Sequence, residues 1–224
     1  MATRGAAVQT YVAFMRAINV GGHAVVPMSD LQQAFRSAGC ESVRTYIASG
    51  NVLFEARPAQ ASALFKKIER AVGALLGRVP TILFRTVADL QGLVASDPFM
   101  HARHESTAAF YVTFLASKPH ARLTCPFGSE KEALEVVAMT RLDVFTISRP
   151  KSNRMYGFPN NYVEKELGVA ATTRNWSTVF KIVEFAARSA KANVPVSIKT
   201  RAATPPAPRR TTRRDSQSKR TPTA

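Results

Sequence analysis

Tyr11–Met28, YVAFMRAINVGGHAVVPM, decides the fold. Alternation places Tyr11, Ala13, Met15 and Ala17 on one face and Val12, Phe14, Arg16 and Ile18 on the other. Both faces are largely apolar, which predicts a central strand over Tyr11–Ile18, covered on at least one side. Asn19 to Val26 then reads as turn and loop around Gly21-Gly22. Pro27, Ser29 and Asp30 are start signals for a helix running to about Ala38, with Leu31, Ala34, Phe35 and Ala38 inward. Gly39 ends it.

Outward from that stretch, Ser42–Ala48 and Asn51–Ala56 predict two strands joined at Ser49-Gly50. Ala59–Leu76 predicts a helix stopped by Gly77, Pro80–Arg85 a strand and Thr86–Ala95 a short helix. The order strand, helix, strand, strand, helix, strand is the split βαβ, or ferredoxin-like, arrangement. A second block follows: a strand at Ala108–Leu115, a loop over Lys118–Ser129, and a hairpin of Leu134–Met139 with Val144–Ser148. A helix over Glu130–Met139 is the alternative to that hairpin. A short helix at Tyr162–Leu167 ends at Gly168, and a final helix spans Trp176–Ala190.

The fold class is therefore α+β: a ferredoxin-like subdomain at 10–96, a linker at 97–107 and a second, smaller α+β subdomain at 108–190. Residues 1–9 read as a loose leader. No short repeat is evident, and kinship between the two halves rests on strand order alone.

The net charge of +16 is unevenly spread. Residues 191–224 carry nine Lys/Arg against Asp215 alone, half of the excess. Five prolines and many Ser/Thr make this a disordered basic tail. It offers weak, non-specific nucleic-acid contact; no aromatic residue lies in it to stack bases. The N-terminus has no convincing cleavage site, and no apolar run approaches the ~20 residues of a membrane helix. The expected location is cytoplasmic, and the Asn175-Trp176-Ser177 sequon then has no role. Cys40 and Cys125 form neither a disulfide framework nor a zinc motif. His101 and His104 have helical spacing without a strong third ligand. No metal and no cofactor is expected.

Three segments, R-A-I-N-V-G-G-H with V-P-M in Tyr11–Met28, R-T-Y-I-A-S-G-N-V-L at Arg44–Leu53 and L-G-V-A-A-T-T-R-N-W-S-T-V-F-K at Leu167–Lys181, resemble a bacterial family, the domain of unknown function 1697. The resemblance spans roughly residues 10–188. It implies an α+β fold with two subdomains, the first ferredoxin-like, and no particular activity. The family often has Gly where Ala17 stands. It also often carries a Ser-Lys pair where this chain reads Tyr156-Gly157-Phe158-Pro159-Asn160-Asn161.

Arg16 has two readings: an internal pair with Glu55, or an anion-binding group at the mouth of a cleft, where its planar fork suits carboxylate or phosphate. Asn19, Gly21 and Gly22 form either a flexible turn or an anion-cradling nest, and match no nucleotide fingerprint. Ser49 and Asn51 belong most simply to the hairpin turn; a hydrolase would need a base beside Ser49. Thr173, Asn175 or Ser177 could cap the last helix, and Arg174 and Asn175 at its start could also hold an anion. The expectation is a small anionic or phosphate-bearing ligand held between the subdomains by Arg16, Asn19, Gly21, Gly22, Ser49, Asn51, Arg174 and Asn175. The alternatives are a nucleic-acid-associated protein and a hydrolase using Ser49.

Overall fold

A computed structural model describes residues 7–16, 18, 26–48, 50–120 and 123–192, the last four by backbone alone. The tail beyond residue 192, residues 1–6, and Ala17, Asn19, Gly21, Gly22, His23 and Ser49 lie outside the described residues. The first half is β1 (Gln9–Met15), α1 (Met28–Ser37), β2 (Glu41–Tyr46), β3 (Asn51–Ala56), α2 (Pro58–Leu76), β4 (Ile82–Thr86) and α3 (Val87–Ser96). Its strands form an antiparallel sheet in the order β2-β3-β1-β4. Each βαβ passage is thus split by a strand of the other.

Apolar spacing places the helices. Leu31, Ala34 and Phe35 of α1 are buried at i, i+3, i+4. With Ile68 and Val72 of α2 they cover the sheet face bearing Tyr11, Ala13 and Met15. The opposite face of β1, Val12 and Phe14, is also fully buried. Being covered on both faces and paired on both sides, β1 has no polar side to show, as its sequence predicts. α3 starts from a reciprocal capping box: Thr86 Oγ1 accepts from Asp89 N (2.9 Å), and Asp89 Oδ2 accepts from Thr86 N (3.0 Å).

The second half is β5 (Ala109–Leu115), β6 (Phe127–Ser129), β7 (Leu134–Met139), β8 (Asp143–Ser148), α4 (Pro159–Leu167), β9 (Ala171–Asn175) and α5 (Trp176–Ala192). Its sheet is antiparallel in the order β6-β7-β8-β5-β9. The hairpin reading of Leu134–Ser148 holds, and the helical alternative does not. Three expectations need correction. The stretch Lys118–Ser129, expected as loop, ends in the strand β6, paired with β7. α4 begins at Pro159, a residue pre-set for the first helical position, and not at Tyr162. Ala171–Asn175 is a strand, not merely the lead-in to the last helix.

Leaving β6 aside, the order β7-β8-β5-β9 repeats β2-β3-β1-β4 strand for strand. The registers agree residue by residue. Phe14 sits opposite Asn51 and Phe114 opposite Asp143; Val12 sits opposite Arg85 and Val112 opposite Arg174. In each half the last strand runs straight into a helix, α3 or α5. At sequence level the likeness is clearest between Tyr11-Val12-Ala13-Phe14-Met15 and Tyr111-Val112-Thr113-Phe114-Leu115. Where the first half has α1, the second has the connection containing β6.

The halves share one core. Val12, Phe14, Leu53 and Leu83 of the first sheet meet Val112, Phe114, Phe145 and Ile147 of the second, with Leu90, Leu93, Val179 and Ile182 of α3 and α5. Phe14 stacks on Phe114 with ring centroids 4.2 Å apart. The stretch 97–107, read in the sequence as a linker, places Phe99 in this core at 2% exposure. It is pinned further by Arg149, whose guanidinium donates to both carboxylate oxygens of Glu105 (2.8 and 2.9 Å) and to Glu135 (2.7 Å). These bonds hold the Glu105 carboxyl below its ordinary pKa. α4 covers the outer face of the second sheet through Val163 and Leu167. Among the described residues, no helix is long and apolar enough to cross a membrane.

Candidate functional site

β1 ends at Met15, and the chain there turns away from the sheet. The turn is tight because Gly50, at φ +73°, lies against it; a Cβ on Gly50 would run into Ile18 and Met15. Arg16 follows, its backbone N–H donating to Thr81 O (2.9 Å). Its side chain does not meet Glu55, which is the correction the structure makes to that pairing. Glu55 instead accepts from Ser42 Oγ (2.8 Å). Arg16 reaches Glu164 of α4, Nη2 to Oε2 at 2.7 Å, while Glu164 Oε1 accepts from Ala171 N at 2.8 Å. The Arg16 side chain is 39% exposed, so water screens the pair. Its Nε is nonetheless buried and has no hydrogen-bond partner among the described residues.

Arg174 comes to the same place from β9 and is buried. Its Nε donates to Asn51 Oδ1 (2.7 Å), Nη2 to Met15 O (2.9 Å), and Nη1 to Thr172 Oγ1 and Thr173 O (2.9 Å each). Its guanidinium lies over the Phe14 ring, 5.5 Å from the centroid. Burial pushes its pKa down to about 10, since desolvation penalises the charged form; at neutral pH it remains a cation. Asn51 is fully buried, and its Nδ2 donates to Tyr46 O (3.1 Å). It positions Arg174 from behind and does not line the cavity in front.

That cavity measures about 510 Å³, within the range of small-molecule sites. Arg16, Arg174 and Asn175 line it, as do Asn160, Asn161, Thr172, Thr173 and Thr178. Asn160 and Asn161 belong to the first turn of α4, whose N-cap, Phe158, supplies no side-chain hydrogen bond. Asn175 and Thr178 bracket the start of α5. Two helix N-termini, each with amides lacking intrahelical acceptors, therefore border one cavity beside two arginines. Behind them a hydroxyl pair, Thr113 and Thr173 (2.8 Å), and Asn160 Oδ1, which accepts from Thr173 Oγ1 (3.3 Å), fix the floor.

The remaining walls are apolar. Met15 and Ile18 are buried, but Ile47 is 51% and Phe158 60% exposed. Ile47 has φ +51°, a left-handed conformation that costs a β-branched residue roughly 1–3 kcal/mol.

Of the residues singled out in the sequence, Arg16, Arg174 and Asn175 thus converge on one cavity, with Asn51 behind. Asn19, Gly21, Gly22 and Ser49 lie outside the described residues. Asn160, Asn161 and Phe158 were not anticipated. Their signal was the proline at Pro159, which marks a helix start two residues inside a polar turn. Among the described residues, no group of three His, Cys, Asp or Glu side chains could hold a metal ion.

A family model described as "Protein of unknown function (DUF1697)" matches residues 8–145. The match includes the first two of the three resembling segments; the third, with Arg174, follows it. The conserved bacterial protein SP0830 from Streptococcus pneumoniae has a similar structure, with a TM-score of 0.54 at 21% identity, over 80% of this chain and 98% of that one. At that identity the likeness is one of fold. No curated protein matches the chain. Because the family model covers well over half of its length, the chain belongs to the DUF1697 family of proteins of unknown function.

Proposed function

We propose that the cavity between the two sheets binds a small anion, a phosphate or carboxylate group. The observation that carries this reading is the meeting of Arg16, Arg174 and the first turns of α4 and α5 on one small cavity. Arg16 supplies a partly exposed fork, and the helix ends add about 0.3–1 kcal/mol each toward a negative charge. Glu164 balances Arg16 in the free protein and is the group that an incoming anion would displace or share. Thermal-shift titration against inorganic phosphate and phosphate esters tests it: the expected result is a rise in Tm that grows with ligand concentration. Arg16→Gln should remove that rise while leaving the fold intact, because its pair is screened and contributes at most about 1 kcal/mol. No response to any anion, or an undiminished response in the variant, overturns the reading.

The charge of residues 191–224 supports a second reading, contact with nucleic acid. Six phosphate contacts would make log affinity fall with log salt at a slope of about −5. Deleting 191–224 should abolish binding at low salt; unchanged binding refutes it.

A further inference from the structure

We propose that the anion taken by this cavity carries a flat apolar ring, and that Phe158 and Ile47 hold the ring while Arg16 meets the charge. This rests on the anion reading above. Both Phe158 and Ile47 border the cavity, and both are large apolar side chains left more than half exposed (60% and 51%). They come from opposite halves: Ile47 from the connection between β2 and β3, Phe158 from the residue that caps α4. The Phe158 ring is not loose. It stands edge-to-face on the buried Tyr111, with centroids 5.7 Å apart and planes at 86°. A fixed, exposed aromatic ring in a cavity lined by two arginines is a platform for another ring. Ile47 is held at φ +51°, a conformation that an isoleucine keeps only where surrounding structure imposes it, and such positions concentrate at ligand sites. Met15 and Ile18 add buried apolar side chains to the same lining. The site is therefore amphipathic, its lining combining two arginines with Met15, Ile18, Ile47 and Phe158.

The test is isothermal titration of the full chain with phenyl phosphate, inorganic phosphate and phenol. Phenyl phosphate is expected to bind about tenfold more tightly than inorganic phosphate, the contribution of one ring contact added to apolar burial. In Phe158→Ala that margin should shrink to within about threefold. Ile47→Ala, checked for an unchanged melting profile, supplies the same readout should Phe158→Ala fold poorly. Equal affinity for phenyl phosphate and phosphate in the natural protein overturns this inference alone. An undiminished margin in both variants also overturns it. Binding of neither anion overturns the anion reading as well, and binding of phenol as tight as phenyl phosphate shows an apolar pocket and overturns both.

Discussion

Arg85 and Arg174 occupy matching places in the two halves, and the residue each Nε meets differs, an aspartate for one and an asparagine for the other. Arg85 of the first half donates through Nε to Asp143 Oδ1 (3.0 Å) and through Nη2 to Leu115 O and Leu142 O (3.1 and 2.7 Å) in the second. Arg174 of the second donates through Nε to Asn51 and through Nη2 to Met15 O in the first. Each guanidinium covers the other half's phenylalanine, Phe114 at 5.3 Å or Phe14 at 5.5 Å. At one junction the opposing position is an aspartate, at the other an asparagine. A cavity adjoins each, about 560 Å³ at Arg85 and about 510 Å³ at Arg174. At the first, charge is matched by charge within the core. At the second, the amide supplies a hydrogen bond without a charge, and two helix starts face the cavity. One duplicated junction thus serves cohesion, and the other, on our proposal, serves binding.

The largest effect should come from breaking the first junction. Asp143→Ala leaves a buried guanidinium without its carboxylate and should cost about 3–5 kcal/mol in urea unfolding. Asn51→Ala at the second junction removes a neutral hydrogen-bond acceptor and should cost less, about 1–3 kcal/mol by the same measurement. A larger loss for Asn51→Ala than for Asp143→Ala would show that the two junctions are ranked wrongly.

These junctions were only partly legible in the sequence. β1 announced itself because a strand buried on both faces shows a run of apolar residues without alternation, here Tyr11–Met15. β9 did not: Thr172, Thr173 and Asn175 are also residues that cap helices, and a charged Arg174 amid them gives no alternation to read. The Arg16–Glu164 pair joins residues 148 apart, and nothing local in Arg16 points to α4 over the nearer Glu55. The cavity was foreseen through Arg16 and Arg174, but its apolar half was not. Ile47 and Phe158 acquire meaning only from the packing of one half on the other.

Making the junctions alike sharpens the comparison. Asn51→Asp gives the second the charge pattern of the first, and should weaken phosphate binding about tenfold, the effect of one opposing charge nearby. Unaltered binding would separate Arg174 from the ligand. The smallest difference lies in the thiols. Cys40, buried under α1, is pushed up to about 12, whereas half-buried Cys125 is raised less. Alkylation at pH 8 should therefore modify Cys125 before Cys40, as peptide mapping can follow. For Cys40 the folded pKa exceeds the unfolded one, so its contribution to stability is present below about pH 9 and is lost as pH rises toward 12.

The bonds at the two arginines join positions 58 and 123 residues apart in the chain. During synthesis, Arg16 and Phe14 emerge early, but the start of α4, Glu164, β9 and Arg174 appear much later, Glu164 148 residues after Arg16. Before β5 is made, Phe14 has no Phe114 to stack on, and the first sheet presents an uncovered apolar face. The cavity is consequently a product of completion: a nascent or truncated chain ending before β9 lacks Arg174, Asn175 and Thr178 from the cavity wall, and exposes a surface that favours aggregation.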